Sequence, residues 1–189
     1  MNPNLLKGKK VVGSEGYILG EFDGLYFDIT TWKATAFYVG LSDEAIAELD
    51  FKKPFLSKIV IFLPTQLIKA VGDVITLVEP VRNLKNIAEK ENQLISIKLD
   101  GKKMLGPNGY SIGEVEGLDV DTDNWQVTGL HVILTDEAAT ELGFKRPLVS
   151  KVVVKIPIYA ISTVGNFITL DKAIESLKSL VECIKSCKS

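Results

Sequence analysis

The sequence predicts a mainly β protein: two small β-barrels in tandem, each followed by a short α-helix. Three observations carry this expectation. The chain repeats itself, its apolar segments are short and rich in Val, Ile, Phe and Tyr, and Gly and polar turns break those segments at short intervals. A chain of 189 residues suffices for one medium domain or two small ones, and the repeat decides for two.

A shift of 93 positions aligns Lys9–Leu77 with Lys102–Leu170 without a gap, and about 32 of the 69 pairs are identical. KKVVGSEGYILGEFDGLYFD, from Lys9, matches KKMLGPNGYSIGEVEGLDVD, from Lys102. DEAIAELDFKKPFLSK, from Asp43, matches DEAATELGFKRPLVSK, from Asp136. The units are placed at residues 1–93 and 94–189, with the boundary in the polar run KENQ at 90–93.

Within each unit, alternation sets the faces. The strand near Leu19–Asp28 switches face at Gly24, and its copy at Gly117, which predicts a bulge. The strand near Thr35–Leu41 puts Thr35, Phe37, Val39 and Leu41 inward, matched by Thr128, Leu130, Val132 and Leu134. Near Lys58–Leu63 the inward set is Ile59, Ile61 and Leu63, matched by Val152, Val154 and Ile156. Short helices are expected at Asp43–Leu49 and Asp136–Leu142, where acidic residues suit the N-terminal dipole. Val81, Leu84, Ile87 and Ala88 are spaced as one helix face, as are Ile174, Leu177, Leu180 and Val181. Pro80 suits a first helical turn and Asp171 an N-cap. The last stripe runs on to Ile184, which predicts a C-terminal helix packed on its barrel or offered to a partner or a membrane surface. Closing into a barrel buries the edges of so small a sheet.

Three outward positions differ in kind between the copies: Tyr26, Tyr38 and Phe62 in the first, Asp119, His131 and Lys155 in the second. The aromatic set is a candidate interaction patch for a partner protein or for self-association. Packing against the other repeat or a flanking helix is the alternative.

Catalytic chemistry finds little material. Asp119, Asp121 and Asp123 form D-x-D-x-D, but an EF-hand loop needs Gly sixth and Glu twelfth, where Asn124 and Leu130 stand. The run reads instead as a solvated hairpin. His131, the one histidine, has no nucleophile motif around it. The pairs Asp43–Glu44 and Asp136–Glu137 read as helix-start residues. The glycines of GSEGYILGE precede no helix of a βαβ unit, so they read as turn glycines, not a phosphate cradle. Trp32 and Trp125 recur at the same place and read as packing residues. Cys183 and Cys187 are expected to be free thiols in a reducing cytoplasm. No catalytic residue, metal ligand or cofactor is assigned.

The charged residues, 22 Lys and Arg against 24 Asp and Glu, nearly balance, which counts against a broad basic surface for nucleic acid. No basic leader precedes a long apolar run, and no window reaches membrane-span length. A cytoplasmic protein is the expectation.

GKKVVGSEGYILGEFDGLYFD, from Gly8, and GKKMLGPNGYSIGEVEGLDVD, from Gly101, resemble the PRC-barrel family. The pattern is a Gly-Lys start, a following Gly, an apolar-Gly-x-apolar step and a closing Asp. The endings IFLPTQLIKAVGDVITL and VKIPIYAISTVGNFITL resemble archaeal members. The resemblance covers both repeats and implies tandem PRC-type barrels. It implies assembly and adaptor roles, as in the photosynthetic reaction-centre H subunit and in archaeal proteins linked to cell division. It thus implies a non-enzymatic adaptor with protein partners, among them the division machinery, and homo-oligomers. The alternatives are a ribosome-maturation or RNA-processing adaptor, like RimM, and a small-ligand or metal binder.

Overall fold

The computed structural model describes residues 1–52, 57–88, 99–145 and 150–185. They form two compact units, one comprising Pro3–Ser96 with Thr122–Gln126, the other Ile97–Asp121 with Val127–Ser189. Both are mainly β.

In the first unit β1 is Lys10–Val12, β2 Ile18–Asp28, β3 Lys33–Leu41, β4 Val60–Pro64, β5 Ile68–Val71 and β6 Ile75–Leu77. The strand order is β4-β3-β2-β1-β6-β5. β1 and β6 run parallel, and the other neighbours are antiparallel. The two end strands, β4 and β5, are joined by the three-residue turn Thr65–Leu67. Helix α1, Asp43–Glu48, follows β3. Its Ser42 cap accepts from the Ala45 N–H, as a helix start of this composition requires. The core is built from Leu19, Phe22, Phe37, Val39, Leu63, Ile75 and Leu77, each 1% exposed or less. Phe22 and Phe37 stack with ring centroids 6.3 Å apart. The register of β2 on β3 slips between Phe22 and Gly24, beside the expected bulge, and again between Tyr26 and Phe27.

The second unit repeats this plan with β7 Lys103–Leu105, β8 Ser111–Asp121, β9 Gln126–Leu134, β10 Val153–Pro157, β11 Ile161–Val164 and β12 Ile168–Leu170. Helix α2, Asp136–Glu141, is capped by Thr135 through the Ala138 N–H. One hairpin latch recurs in both units. Lys9 Nζ donates to the Gly72 carbonyl at 2.7 Å, and Lys102 Nζ to the Gly165 carbonyl at 2.6 Å. The Lys of the Gly-Lys start thus ties β1 to the β5–β6 turn, and β7 to the β11–β12 turn.

Both units depart from the expected trailing helices. Val81–Asn86 is a 3₁₀ turn, not an α-helix, with Val81 and Leu84 buried. In the second unit α3 spans only Ile174–Leu177. Residues Glu182–Lys185 form strand β13, which pairs antiparallel with β10. Two apolar stripes at helical spacing therefore anchor their first turn and no more. The open hydrogen-bonding edge of β10 takes the rest as a strand. Among the expected core residues, Thr128 is exposed, whereas Leu130, Val132 and Leu134 are buried. The boundary run at 90–93 and Cys187 lie outside the described residues.

Candidate functional site

The three diverged positions sit on neighbouring strands in each unit. In the first, Tyr38 on β3 lies directly opposite Phe62 on β4. Their rings meet edge to face, 4.5 Å apart at 79°. Such pairs contribute about 0.5–1.5 kcal/mol beyond area burial. The Tyr38 ring lies across Gly24, where an added Cβ would come within 3.1 Å of its Cδ2. Phe62 is 3% exposed, so it is a packed residue and not the solvent-facing one expected. The Tyr38 ring, set against it from the neighbouring strand, covers part of it. Tyr26 and Tyr38 remain half-buried.

In the second unit His131 on β9 lies opposite Lys155 on β10. Both reach Asp119 on β8. His131 Nε2 is 3.0 Å and Lys155 Nζ 3.3 Å from Asp119 Oδ2. The side chains are 7%, 23% and 16% exposed for His131, Lys155 and Asp119. His131 is therefore a buried member of an ionic cluster, not a lone outward imidazole. The ionised carboxylate can only accept, so His131 Nε2 carries the proton of this bond, an assignment made from the geometry. Burial opposes ionisation of Asp119. The hydrogen bond and charge of His131, then those of Lys155, outweigh it and hold the carboxyl below its ordinary value. Lys155 reaches Asp119 by lying across Gly129, where a Cβ would come within 2.8 Å of its Cγ and Cε. Sequence reading placed these residues on one face but missed their union. The signal available was Gly129, beside Lys155 in the ladder, where the first copy has Ala36.

A cleft recurs at equivalent places in the two units. In the first it has a volume of about 620 Å3, and in the second about 430 Å3. Its floor in the first unit is the cross-strand row Lys10, Glu21, Gly40 and Val60. The second copy has Lys103, Glu114 and Ile133 at the first three positions, with Lys151 matching Lys58 at the rim. Lys10 pairs with Glu21 at 2.8 Å. Lys10 first, and Lys58 from further off, hold the exposed Glu21 carboxyl below its usual value against a smaller desolvation effect.

The D-x-D-x-D run divides. Asp119 belongs to the ionic cluster, while Asp121 ends β8 and Asp123 lies in the turn that follows. There Asn124 Oδ1 accepts from the Gln126 N–H at 2.8 Å. The equivalent turn in the first copy uses Asp28, which accepts from the Thr30 N–H and the Thr31 hydroxyl, each at 2.8 Å. Trp32 and Trp125 both take positive φ, 52° and 62°, at these tips. Asp43, Glu44, Asp136 and Glu137 open α1 and α2. Cys183 is held in a disulfide, so the expected free thiol is absent there. Among the described residues, no group of three or more His, Cys, Asp or Glu is arranged to hold a metal ion. No helix of the described residues is long and apolar enough to cross a membrane.

No protein-family model and no curated protein matches the chain. Among solved structures, a 16S ribosomal RNA processing protein, RimM, from Pseudomonas aeruginosa is similar over 89% of this chain and 96% of its own. The identity is 11% and the TM-score 0.26, a likeness that carries no argument about fold or function.

Proposed function

We propose that the chain is a tandem PRC-barrel protein that acts as a protein-binding adaptor, by contact and not by catalysis, in archaeal cell division. The barrel reading is supported by topology. The six strands common to both units begin and end at β4 and β5, or at β10 and β11, and only three residues join each pair. A sheet whose ends are so tethered has to curl. The Gly-Lys start, whose lysine ties a hairpin turn in both units, fits the same family.

One observation carries the adaptor reading. The two units keep the same strand order and caps, yet where the first leaves Tyr26 and Tyr38 half-buried, the second carries Asp119 and His131, joined as an ion pair. A duplicated frame with divergent faces suits two different contacts in one chain.

The test is affinity capture of the full chain from its native cell, alongside a Tyr26→Glu variant. Recovery of division proteins, reduced in the variant, is expected. Recovery of ribosomal proteins, or of nothing, overturns the reading.

A further inference from the structure

The two units finish one equivalent strand edge differently. β4 pairs with β3, and its counterpart β10 with β9. The Leu41 N–H donates to the Ile59 carbonyl, and the Leu134 N–H to the Val152 carbonyl. Backbone groups alternate along an antiparallel strand, so Ile61 and Val154 also turn theirs to β3 and β9. Val60 and Phe62, like Val153 and Lys155, turn theirs to the opposite edge. On β10 that edge carries β13, with Val153 opposite Lys185 and Lys155 opposite Glu182. On β4, among the described residues, it carries no strand. The first unit keeps the whole six-stranded frame without such a cover. β13 is therefore an addition that the frame does not need.

β13 is also held lightly. Glu182, Cys183, Ile184 and Lys185 are all exposed, so no buried side chain anchors the strand. Its hold is the ladder to β10 and the restraint on the chain end. That restraint is the disulfide of Cys183. The chain's other cysteine is Cys187, so the bridge closes a loop of five residues, 183 to 187. Cross-link stabilisation grows with loop length, and a bridge this short ties no distant parts of the fold together. On an exposed edge strand it is open to attack by a thiolate. Short span and exposure belong to a labile bridge, not to a structural staple.

We propose that the Cys183 disulfide is a redox clasp that keeps β13 on the edge of β10. Oxidised, it removes conformations from the released chain end and so favours the docked strand. A protein dithiol opens it. One thiolate of the dithiol attacks a bridge sulfur, forms a mixed disulfide and expels the other cysteine as a thiolate. The second thiolate of the dithiol then displaces the remaining cysteine. Two electrons and two protons end on Cys183 and Cys187 as thiols, and the reductant ends as a disulfide. Release of β13 bares the backbone groups of Val153 and Lys155 and takes Glu182 from beside Lys155. The second unit then has the open edge that the first already has. This goes beyond the adaptor reading and does not depend on it.

Amide hydrogen exchange of the full chain, oxidised and after reduction with dithiothreitol, tests the clasp. Val153 and Lys155 should exchange about thirtyfold faster once reduced, the shift that loop-closure entropy gives for five residues. Val154 and Ile156, bonded to β9, should exchange at unchanged rates, and the melting temperature should stay put. Cys187→Ser leaves β13 itself unaltered and should show the fast rates with or without dithiothreitol. Equal or slower exchange at Val153 and Lys155 on reduction overturns the proposal. So does faster exchange throughout β8–β10, which would make the bridge a staple of the fold. A bridge that dithiothreitol leaves intact in the folded chain, read by thiol titration, overturns it as well.

Discussion

Replacing Asp119 by Asn removes the charge of the buried cluster and keeps its shape. Two nitrogens converge on Asp119 Oδ2, at 3.0 and 3.3 Å. At an effective dielectric of about 20, the Lys155 contact alone amounts to roughly 5 kcal/mol of gross attraction. Desolvation of both groups cancels much of that. The amide can still accept from His131, and Lys155, 23% exposed, can turn its ammonium toward water. A net loss of about 1–3 kcal/mol at pH 7 remains, below the range for stripping a fully buried pair. For a unit of this size that lowers the melting temperature by about 5–20 °C. The pH dependence identifies the cause. The carboxyl of Asp119 is held below its ordinary value, so its stabilisation is present above the unfolded aspartate pKa of about 3.9 and disappears as pH falls through the folded value. Urea denaturation should show the full gap between wild type and Asp119→Asn at pH 7, closing progressively below about pH 4. Hydrogen exchange at Leu118, Leu130 and Val154 should localise the loss to β8–β10. Equal stability at pH 7, or a gap that persists undiminished in strong acid, would refute the ionic account.

Two further substitutions probe the same frame. Gly129→Ala puts a methyl where the Lys155 stem lies, 2.8 Å from Cγ and Cε. It should release Lys155 from Asp119, cost about 1–2 kcal/mol, and add nothing further in a Lys155→Met background, as a double-mutant cycle by urea denaturation will read. Gly113→Ala places a Cβ 2.1 Å from the Ile133 carbonyl oxygen, so β8 and β9 must separate. It should cost about 2–3 kcal/mol or more in calorimetry, and an unchanged transition would mean the ladder is looser than described.

The duplicated frame was readable because burial demands the same pattern twice. Glycines such as Gly20 and Gly113, each within 2.1 Å of a facing carbonyl if given a Cβ, recur because close strand approach admits nothing larger. Caps Ser42 and Thr135 recur because orphan N–H groups need an acceptor. What failed was the step from spacing to partner. Ile174, Leu177, Val181 and Ile184 fit a helix, but Ile184 went to a strand, since an open edge outbids a short stripe with no second partner. His131 and Phe62 were assigned outward by alternation. Alternation reports a face but not what covers it, and here the neighbours across the ladder do the covering. The cleft was invisible because no residue type marks it; only the Gly40 and Ile133 contrast does.

The ionic and aromatic clusters also bear on how two near-copies in one chain avoid exchanging strands during folding. Sequences this alike invite a strand from one copy to seat in the other. If β3 paired with β10, Tyr38 would stand opposite Lys155, whose ammonium would lose Asp119. If β9 paired with β4, His131 would face Phe62 and Asp119 would lose Lys155. Each error strands a polar group in a buried row. The same three positions that separate the two faces thus make each strand recognise its own neighbours, a proofreading of assembly written into the side chains.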